Sequence, residues 1–531
     1  MAAAASPVGE RVRAAEVIAS LSLATDYGTG LPLEHGLRST LAAMRLCERL
    51  GVEDVVASQA YFACLLFYVG CTADAEVAAE LFDGELYEHV TPVMFGSRPQ
   101  LARALLRAVA PPGMPASARV LTVARRLPRV VRMHPRHLAA LCEVGQMLAR
   151  RLGLPESVRL LFAQFTERWD GKGLPRGAHG DEIPLAARIV HVARDGCFQA
   201  MLAGNAAAAA VIRERSGAAF DPDVAAAFAE DVDEVLALDP GASAWDGVLD
   251  LEPQPRLQLN AAEVDAATSA IGDFADLASP YLVGHSSGVA QLAAAAGRCC
   301  GLAAGDVAAL RRAASVHDVG RVAVSVRIWQ KPGLLDPGEW ESVRLHPYHS
   351  ERVLVRSPFL AALAPAASAH HERLDGSGYH RGATAAALDV PARLLAAADA
   401  FHAMTEPRPY REALPAADAT RELTQEAREG RLDPAAVAAV IEAAGQEVPP
   451  IERPDGLTER ESQVLALLAR GLQTKQVAQA LGISVKTADR HVQNAYGKLG
   501  VSTRAAAALY AMEHGLIAWG EFPMAPASAR P

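Results

Sequence analysis

Apolar positions in this chain recur at spacings of three and four, and from Arg11 onward that period predicts one helix after another. Proline- and glycine-rich breaks punctuate the pattern. The first lies near residues 111–117. The second, Asp239–Leu259, holds Pro240, Gly241, Pro253 and Pro255; the third, Gly445–Gly456, holds Pro449, Pro450 and Pro454. These breaks predict three helical units, 11–238, 261–445 and 457–518, with linkers at 239–260 and 446–456. Residues 1–10 and the tail 519–531 are expected to be loose. The most apolar window, Val55–Cys71, is interrupted by Ser58 and Gln59 and is shorter than the ~20 residues a spanning helix needs, so no membrane contact is expected.

Composition supports the helical reading. Hydrophobic residues make up 51% of the chain and aromatics 5%, and alanine-rich segments poor in β-branched residues favour helix over strand. A net charge of −10 confines any nucleic-acid contact to a local surface. Seven cysteines without CxxC spacing fit a reduced protein rather than a disulfide framework or zinc ribbon. The N-terminus lacks a basic stretch before an apolar core, so no signal peptide is expected and the expected location is the cytoplasm.

An internal repeat runs through the first two units. With His35 set over His285, Gly51 falls on Gly301 and Phe67-Tyr68-Val69-Gly70 on His317-Asp318-Val319-Gly320. Farther on, Glu167-Arg168-Trp169-Asp170-Gly171-Lys172-Gly173 matches Glu372-Arg373-Leu374-Asp375-Gly376-Ser377-Gly378, and the first copy carries a long insertion between the blocks. The copies differ in their chemistry. The second has His317, Asp318, His370, His371 and Asp399 where the first has Phe67, Tyr68, Phe165, Thr166 and Arg194. Aromatics and a cation in place of ligands leave a packed shell, so the first copy is expected to be structural, sensory or dimerising.

In the second copy the candidate metal ligands are His285, His317, Asp318, His346, His370, His371 and Asp399. Any one of them alone would read as a hydrogen-bonded core residue or a solvated helix end. The ordered set, in alanine-rich helical contexts where polar groups are costly to bury, asks for a reason. Imidazoles with carboxylates suit divalent Fe, Mn or Zn. A carboxylate such as Asp318 can bridge two ions, and a two-ion site activates water against a phosphoester.

The last unit opens with Thr458-Glu459-Arg460-Glu461, a capping box before the apolar stripe Val464, Leu465, Leu467 and Leu468. Thr474 is expected to cap a short helix, Lys475–Leu481, and Ser484 a longer one, Val485–Leu499; a final helix ends at Gly515. Short helix, turn and longer helix make a helix-turn-helix. Ala488, Val492, Ala495 and Leu499 are expected to face inward and Lys486, Arg490 and Gln493 a major groove, with Lys475, Thr487 and His491 on phosphates. On charge alone the unit also reads as a solvated four-helix cap.

Two resemblances follow. His285, His317-Asp318-Val319-Gly320, Lys331-Pro332-Gly333, His346-Pro347, His370-His371-Glu372-Arg373, Asp375-Gly376-Ser377-Gly378-Tyr379, Asp399 and Arg408-Pro409-Tyr410-Arg411 resemble the HD-GYP branch of the HD phosphohydrolases. The resemblance implies an all-α fold of two tandem HD-type domains, the first degenerate, and hydrolysis of a cyclic dinucleotide such as cyclic di-GMP. It implies two divalent metal ions. His285, His317, Asp318 and Asp399 would hold one; His346, His370 and His371, with Asp318 bridging, would hold the other. The chain departs from the family at Tyr281, where a third-metal carboxylate would stand, at Arg321 in place of lysine, and at His380 in place of the signature proline. Arg321, with Asp318, is the expected catalytic pair; an arginine holds a phosphate but keeps its proton. Leu457-Thr458-Glu459-Arg460-Glu461, Lys475-Gln476-Val477-Ala478, Leu481-Gly482-Ile483-Ser484, Lys486-Thr487, His491 and Lys498-Leu499-Gly500-Val501 resemble a LuxR-type DNA-binding domain of four helices. That implies double-stranded DNA as a partner and a homodimer on two half-sites. The alternative is an inactive HD-GYP-like sensor of nucleotide and metal that controls DNA binding.

Overall fold

In a computed structural model, residues 11–74, 90–110, 114–238, 241, 243–445 and 456–514 are described. The expected loose ends 1–10 and 519–531, and the proline-rich stretch 446–455, lie outside them. The fold is all-α: the strands among the described residues are the two-residue pieces Val12–Arg13 and Gln258–Leu259. Contacts divide the chain between Leu259 and Asn260 into two compact units.

In the first unit the repeat's leading helices are Ala14–Thr29, His35–Arg49 and Asp54–Leu65, and the later ones Leu185–Ala203 and Pro222–Glu230. Between the repeated blocks lie Arg98–Val109 and a long helix, Ala116–Arg151. The stretch Asp54–Cys71 is long and apolar enough to cross a membrane, but two-thirds of it is buried within the fold. The expected linker is partly structured. Ala244–Asp250 is a helix capped by Ser243; Trp245 and Val248 are buried, and the Val248 carbonyl accepts a hydrogen bond from Tyr61 Oη at 3.0 Å.

The second unit repeats the plan with Ala261–Asp276, His285–Cys299, Ala304–Val316, His346–Leu354, Val390–Met404 and Pro434–Ala444. Asn260, Asp389 and Asp433 cap three of these helices with side-chain oxygens. Leu394, Leu395, Phe401, Leu423 and Val440 fill its core, with alanines between them. Small side chains let the helices approach closely, so polar residues from several helices can meet.

The two copies agree in detail. In each, a glycine of the repeated loop is obligatory, because a Cβ on Gly173 would lie 2.4 Å from the Glu167 Cα and one on Gly378 2.5 Å from the Glu372 Cα. The Glu167 carboxylate accepts the Arg176 amide at 2.7 Å, and the Glu372 carboxylate the Arg381 amide at 3.1 Å. Arg188 pairs with Asp221 at 2.7 Å, and Arg393 with Asp433 at 2.9 Å.

The C-terminal helices are Glu459–Ala469, Thr474–Ala480, Val485–Leu499 and Arg504–Glu513. The capping box Thr458/Glu461 forms as read. Thr474 does not cap its helix: the extended residue is Gln473, which forms the capping box with Gln476 and leaves Thr474 as the first helical residue. Ala488, Val492 and Ala495 are buried as expected, whereas Leu499 is half-buried. Gly500 ends that helix in the left-handed region, φ 66°.

Candidate functional site

All seven candidate ligands of the second copy converge. His317 follows the helix Ala304–Val316, His346 begins its helix, and Asp399 lies within Val390–Met404. His285, His317, Asp318, His346, His370 and Asp399 are buried and His371 half-buried. His285, His317 and Asp399 bring one donor atom each within 4.8 Å of one another, and so do His346, His370 and His371. Asp318 stands between these sets. Its Oδ2 lies 2.9 Å from His317 Nε2 and 3.4 Å from His285 Nε2; its Oδ1 lies 3.1 Å from His346 Nε2 and 3.3 Å from His370 Nε2. Arg321 closes the cluster, its Nη2 2.8 Å from Asp318 Oδ2 and its guanidinium over the Trp329 ring at 5.4 Å.

The rings are held in one tautomer. His317, His346 and His370 donate Nδ1–H to the carbonyls of Ala314, Val343 and Ala367 at 2.7, 2.6 and 2.6 Å, which turns each Nε2 inward. The Ser350 hydroxyl donates to the His317 carbonyl at 2.6 Å and accepts from the Gly320 amide at 2.9 Å. Tyr379 stacks on the His371 ring at 4.2 Å. His380 faces Tyr348 at 6.0 Å instead. Sequence reasoning missed Ser350, Trp329 and above all Glu406, whose Oε2 lies 2.7 Å from His285 Nδ1.

This donor set fits metal ions. Asp318 Oδ1 and His317 Nε2 are buried without a well-aligned hydrogen-bond partner among the described residues, although their neighbours lie within ion-pair distance, and Asp318 Oδ2 is met by the Arg321 guanidinium. Charges tell the same story. In His285 burial opposes the charge, but the Glu406 carboxylate together with Asp318 and Asp399 outweighs it and holds the imidazole well above its ordinary pKa. In His317 burial is outweighed by Asp318, which lifts it to about 9. Against burial, Arg321 and His317 hold Asp318 well below the carboxylate range, and His285 and His317 do so for Asp399. Across the cluster, burial pushes His346 down to about 4 and, with His370, His371 well below its usual value.

One half of the cluster therefore holds protons where a cation belongs, and the other presents neutral lone pairs. A cation taken up there would have to displace the protons of His285 and His317. Metal affinity is therefore expected to rise with pH as these imidazoles lose their protons, His317 at about 9, and to fall as the pH drops. Mn²⁺ titrations across neutral pH, with proton release recorded, measure this; a flat affinity contradicts the assignment.

The first copy has no such centre at the corresponding positions. Phe67 stacks on Phe165 at 4.4 Å, and the buried Arg194 guanidinium sits over Phe67 and Tyr68 at 4.5 and 4.9 Å. His35 survives, its Nε2 3.3 Å from the Arg194 carbonyl, but burial and then Arg194 push its pKa down to about 3. A caged guanidinium fills the place that the histidine–aspartate cluster takes in the second copy.

In the C-terminal unit Lys475, Lys486, Arg490 and Gln493 are exposed, and Thr487 and His491 are half-buried. Lys486, Arg490 and Gln493 share the outward side of Val485–Leu499. The Thr487 hydroxyl is 2.7 Å from that of Ser484 and so is partly engaged at the helix start.

Two copies of one helical plan, one keeping a histidine–aspartate cluster, followed by a helix-turn-helix, define a fused HD-domain and DNA-binding-type protein. Comparison with known proteins agrees. The HD domain family matches residues 126–224 and 270–436, and the luxR family of bacterial regulatory proteins matches 455–511. The chain is 32% identical over 437 residues to the 3'3'-cGAMP-specific phosphodiesterase 3 of Vibrio cholerae, covering 81% of this chain and 94% of that one. A cyclic di-GMP phosphodiesterase of Thermotoga maritima is 40% identical over 119 residues, 22% of this chain and 32% of its own length. The crystal structure of a cyclic GMP-AMP specific phosphodiesterase of V. cholerae matches with TM-score 0.59 at 27% identity, over 83% of this chain and 99% of that one. The chain belongs to the HD-GYP-type HD-domain family, with a degenerate first copy and a C-terminal LuxR-type helix-turn-helix domain. HD-domain phosphodiesterases are metal-dependent.

Proposed function

We infer that the second copy hydrolyses a cyclic dinucleotide with two divalent ions, and that the C-terminal domain binds duplex DNA. The protein is then a transcription regulator carrying its own phosphodiesterase. The observation that carries this is Asp318, whose two carboxylate oxygens face two separate donor sets. His285, His317 and Asp399 would hold one ion and His346, His370 and His371 the other, with Asp318 shared. Bound there, Fe, Mn or Zn ions supply Lewis-acid activation of water and neutralisation of phosphate charge. The chain's own residues bind and orient. Arg321 keeps Nε and Nη1 without hydrogen-bond partners while Nη2 is fixed on Asp318, so two buried donors remain for a phosphate oxygen. Tyr379 fixes the plane of His371. The substrate class rests on the cyclic dinucleotides named for the relatives, 3'3'-cGAMP and cyclic di-GMP. A cytoplasmic homodimer on two DNA half-sites belongs to this reading.

The test is turnover. Full-length protein loaded with Mn, Fe or Zn is expected to open 3'3'-cGAMP or cyclic di-GMP to a linear dinucleotide, one P–O bond breaking as water adds. Chromatography reads the product. A second reading, an inactive sensor of nucleotide and metal, is favoured by Arg321, a poor general acid where the family has lysine. Metal uptake without turnover of any cyclic dinucleotide would establish that reading.

A further inference from the structure

His285 is oriented differently from the other buried imidazoles of the cluster. His317, His346 and His370 each use a neutral carbonyl three residues back. The equivalent carbonyl for His285, that of Leu282, already accepts the His285 backbone amide at 2.9 Å. Its Nδ1 meets the Glu406 carboxylate at 2.7 Å instead. Glu406 is itself buried and anchored: Arg408 Nη2 lies 2.8 Å from its Oε2 and His402 Nδ1 3.3 Å from its Oε1. Arg408 Nη1 also donates at 2.6 Å to the carbonyl of Tyr281, in the turn that leads into His285. The arginine of the Arg408-Pro409-Tyr410-Arg411 motif thus ties the carboxylate to the loop that aims the imidazole.

We propose that Glu406 is a positioning residue that makes the two metal positions unequal, so that the His285 position fills first. This rests on the two-ion reading above. A carboxylate behind a histidine fixes its tautomer and raises its basicity. The His285 position also has Asp399 Oδ1, at 3.1 Å from His285, and Asp318 Oδ2 as anionic donors, whereas the position of His346, His370 and His371 has three imidazoles and Asp318 Oδ1, with Asp399 Oδ2 farther off at 3.7 Å from His371. More anionic ligands hold a divalent ion more tightly. The 2.7 Å separation of Glu406 from His285 is a hydrogen bond, so Glu406 stands behind the ligand and is not one.

The experiment is a titration of chelator-stripped, full-length protein with Co²⁺, reading ligand-field absorption and bound metal. Wild type is expected to bind in two steps. His346→Ala isolates the first step. In that background Glu406→Gln is expected to weaken Co²⁺ binding by about 10–100-fold, as loss of an outer partner does. In the His285→Ala background, where only the second step remains, the same substitution leaves affinity unchanged. Arg408→Gln, which frees the carboxylate, shifts the first step in the same direction by less, and it decides the matter if Glu406→Gln fails to fold. Unchanged first-step affinity in a folded variant, beside a two-ion wild type, overturns the proposal alone. A third bound ion lost with Glu406 overturns it too, by making Glu406 a ligand with His402. A wild type that takes up neither Co²⁺ nor Mn²⁺ overturns the two-ion reading itself.

Discussion

Asp318→Asn protein is expected to purify with far less transition metal than wild type and to cleave cyclic dinucleotides at least about 10³-fold more slowly, because both metal positions lose their shared anion. The His317→Ala/Asp318→Ala double variant is expected to carry none. Asp318 faces both donor sets most closely: its Oδ2 looks toward His285 and His317 and its Oδ1 toward His346 and His370, all within 3.4 Å, whereas Asp399 Oδ2 reaches His371 only at 3.7 Å. Asparagine keeps the shape and removes the charge, so the contrast with wild type reads electrostatics rather than packing. The same substitution strips Arg321 of its buried counter-ion. Breaking such a pair costs about 3–5 kcal/mol, so folding must be checked by circular dichroism before the metal content is interpreted. Elemental analysis of anaerobically prepared protein gives the first number and chromatography of the linear product the second. Full metal content in folded Asp318→Asn would sink the shared-carboxylate assignment.

The seven candidate ligands were legible because each is a polar residue in an apolar helical setting, and the structure brings them together. The repeat was legible for a related reason. The loop 167–173 and its partner 372–378 place a glycine where any side chain would strike the preceding glutamate's backbone, and such a residue cannot drift. Glu406 was not legible. It meets a residue far away in sequence, beyond the end of the helix that carries Asp399, and no local period marks it. Only its place just before Arg408-Pro409-Tyr410-Arg411 gave a hint. The packing of Ala244–Asp250 was hidden by the prolines around it, which signal breaks at either side but say nothing of Trp245 between them. Thr474 was misplaced by one residue because a glutamine took the cap, a weaker preference than threonine on propensity alone. In the first copy the loss of ligands was legible, but the caging of Arg194 by rings from distant segments was not.

Replacing Lys486 and Arg490 together with alanine is expected to abolish selective DNA binding while leaving metal content unchanged. Both side chains are exposed on Val485–Leu499, whose other face is locked by Ala488, Val492 and Ala495. The helix start is fixed by Ser484, which accepts the Thr487 amide at 3.1 Å. A rigid, capped helix with its basic residues outward is what major-groove reading requires. An arginine on a guanine edge contributes about 1–3 kcal/mol of discrimination, and a lost phosphate contact lowers the salt slope by about one. The two losses have different signatures. Arg490→Ala alone is expected to relax preference among sequences, and Lys486→Ala alone to weaken all sequences alike. Asp489 lies exposed between them and opposes phosphate approach. Asp489→Lys is therefore expected to raise overall affinity and steepen the salt dependence without improving selectivity. Fluorescence anisotropy with selected and scrambled duplexes at several salt concentrations separates these outcomes. If the double variant binds duplex DNA with wild-type affinity and salt slope, the C-terminal unit does not read DNA through this helix, and the hydrolase reading stands without it.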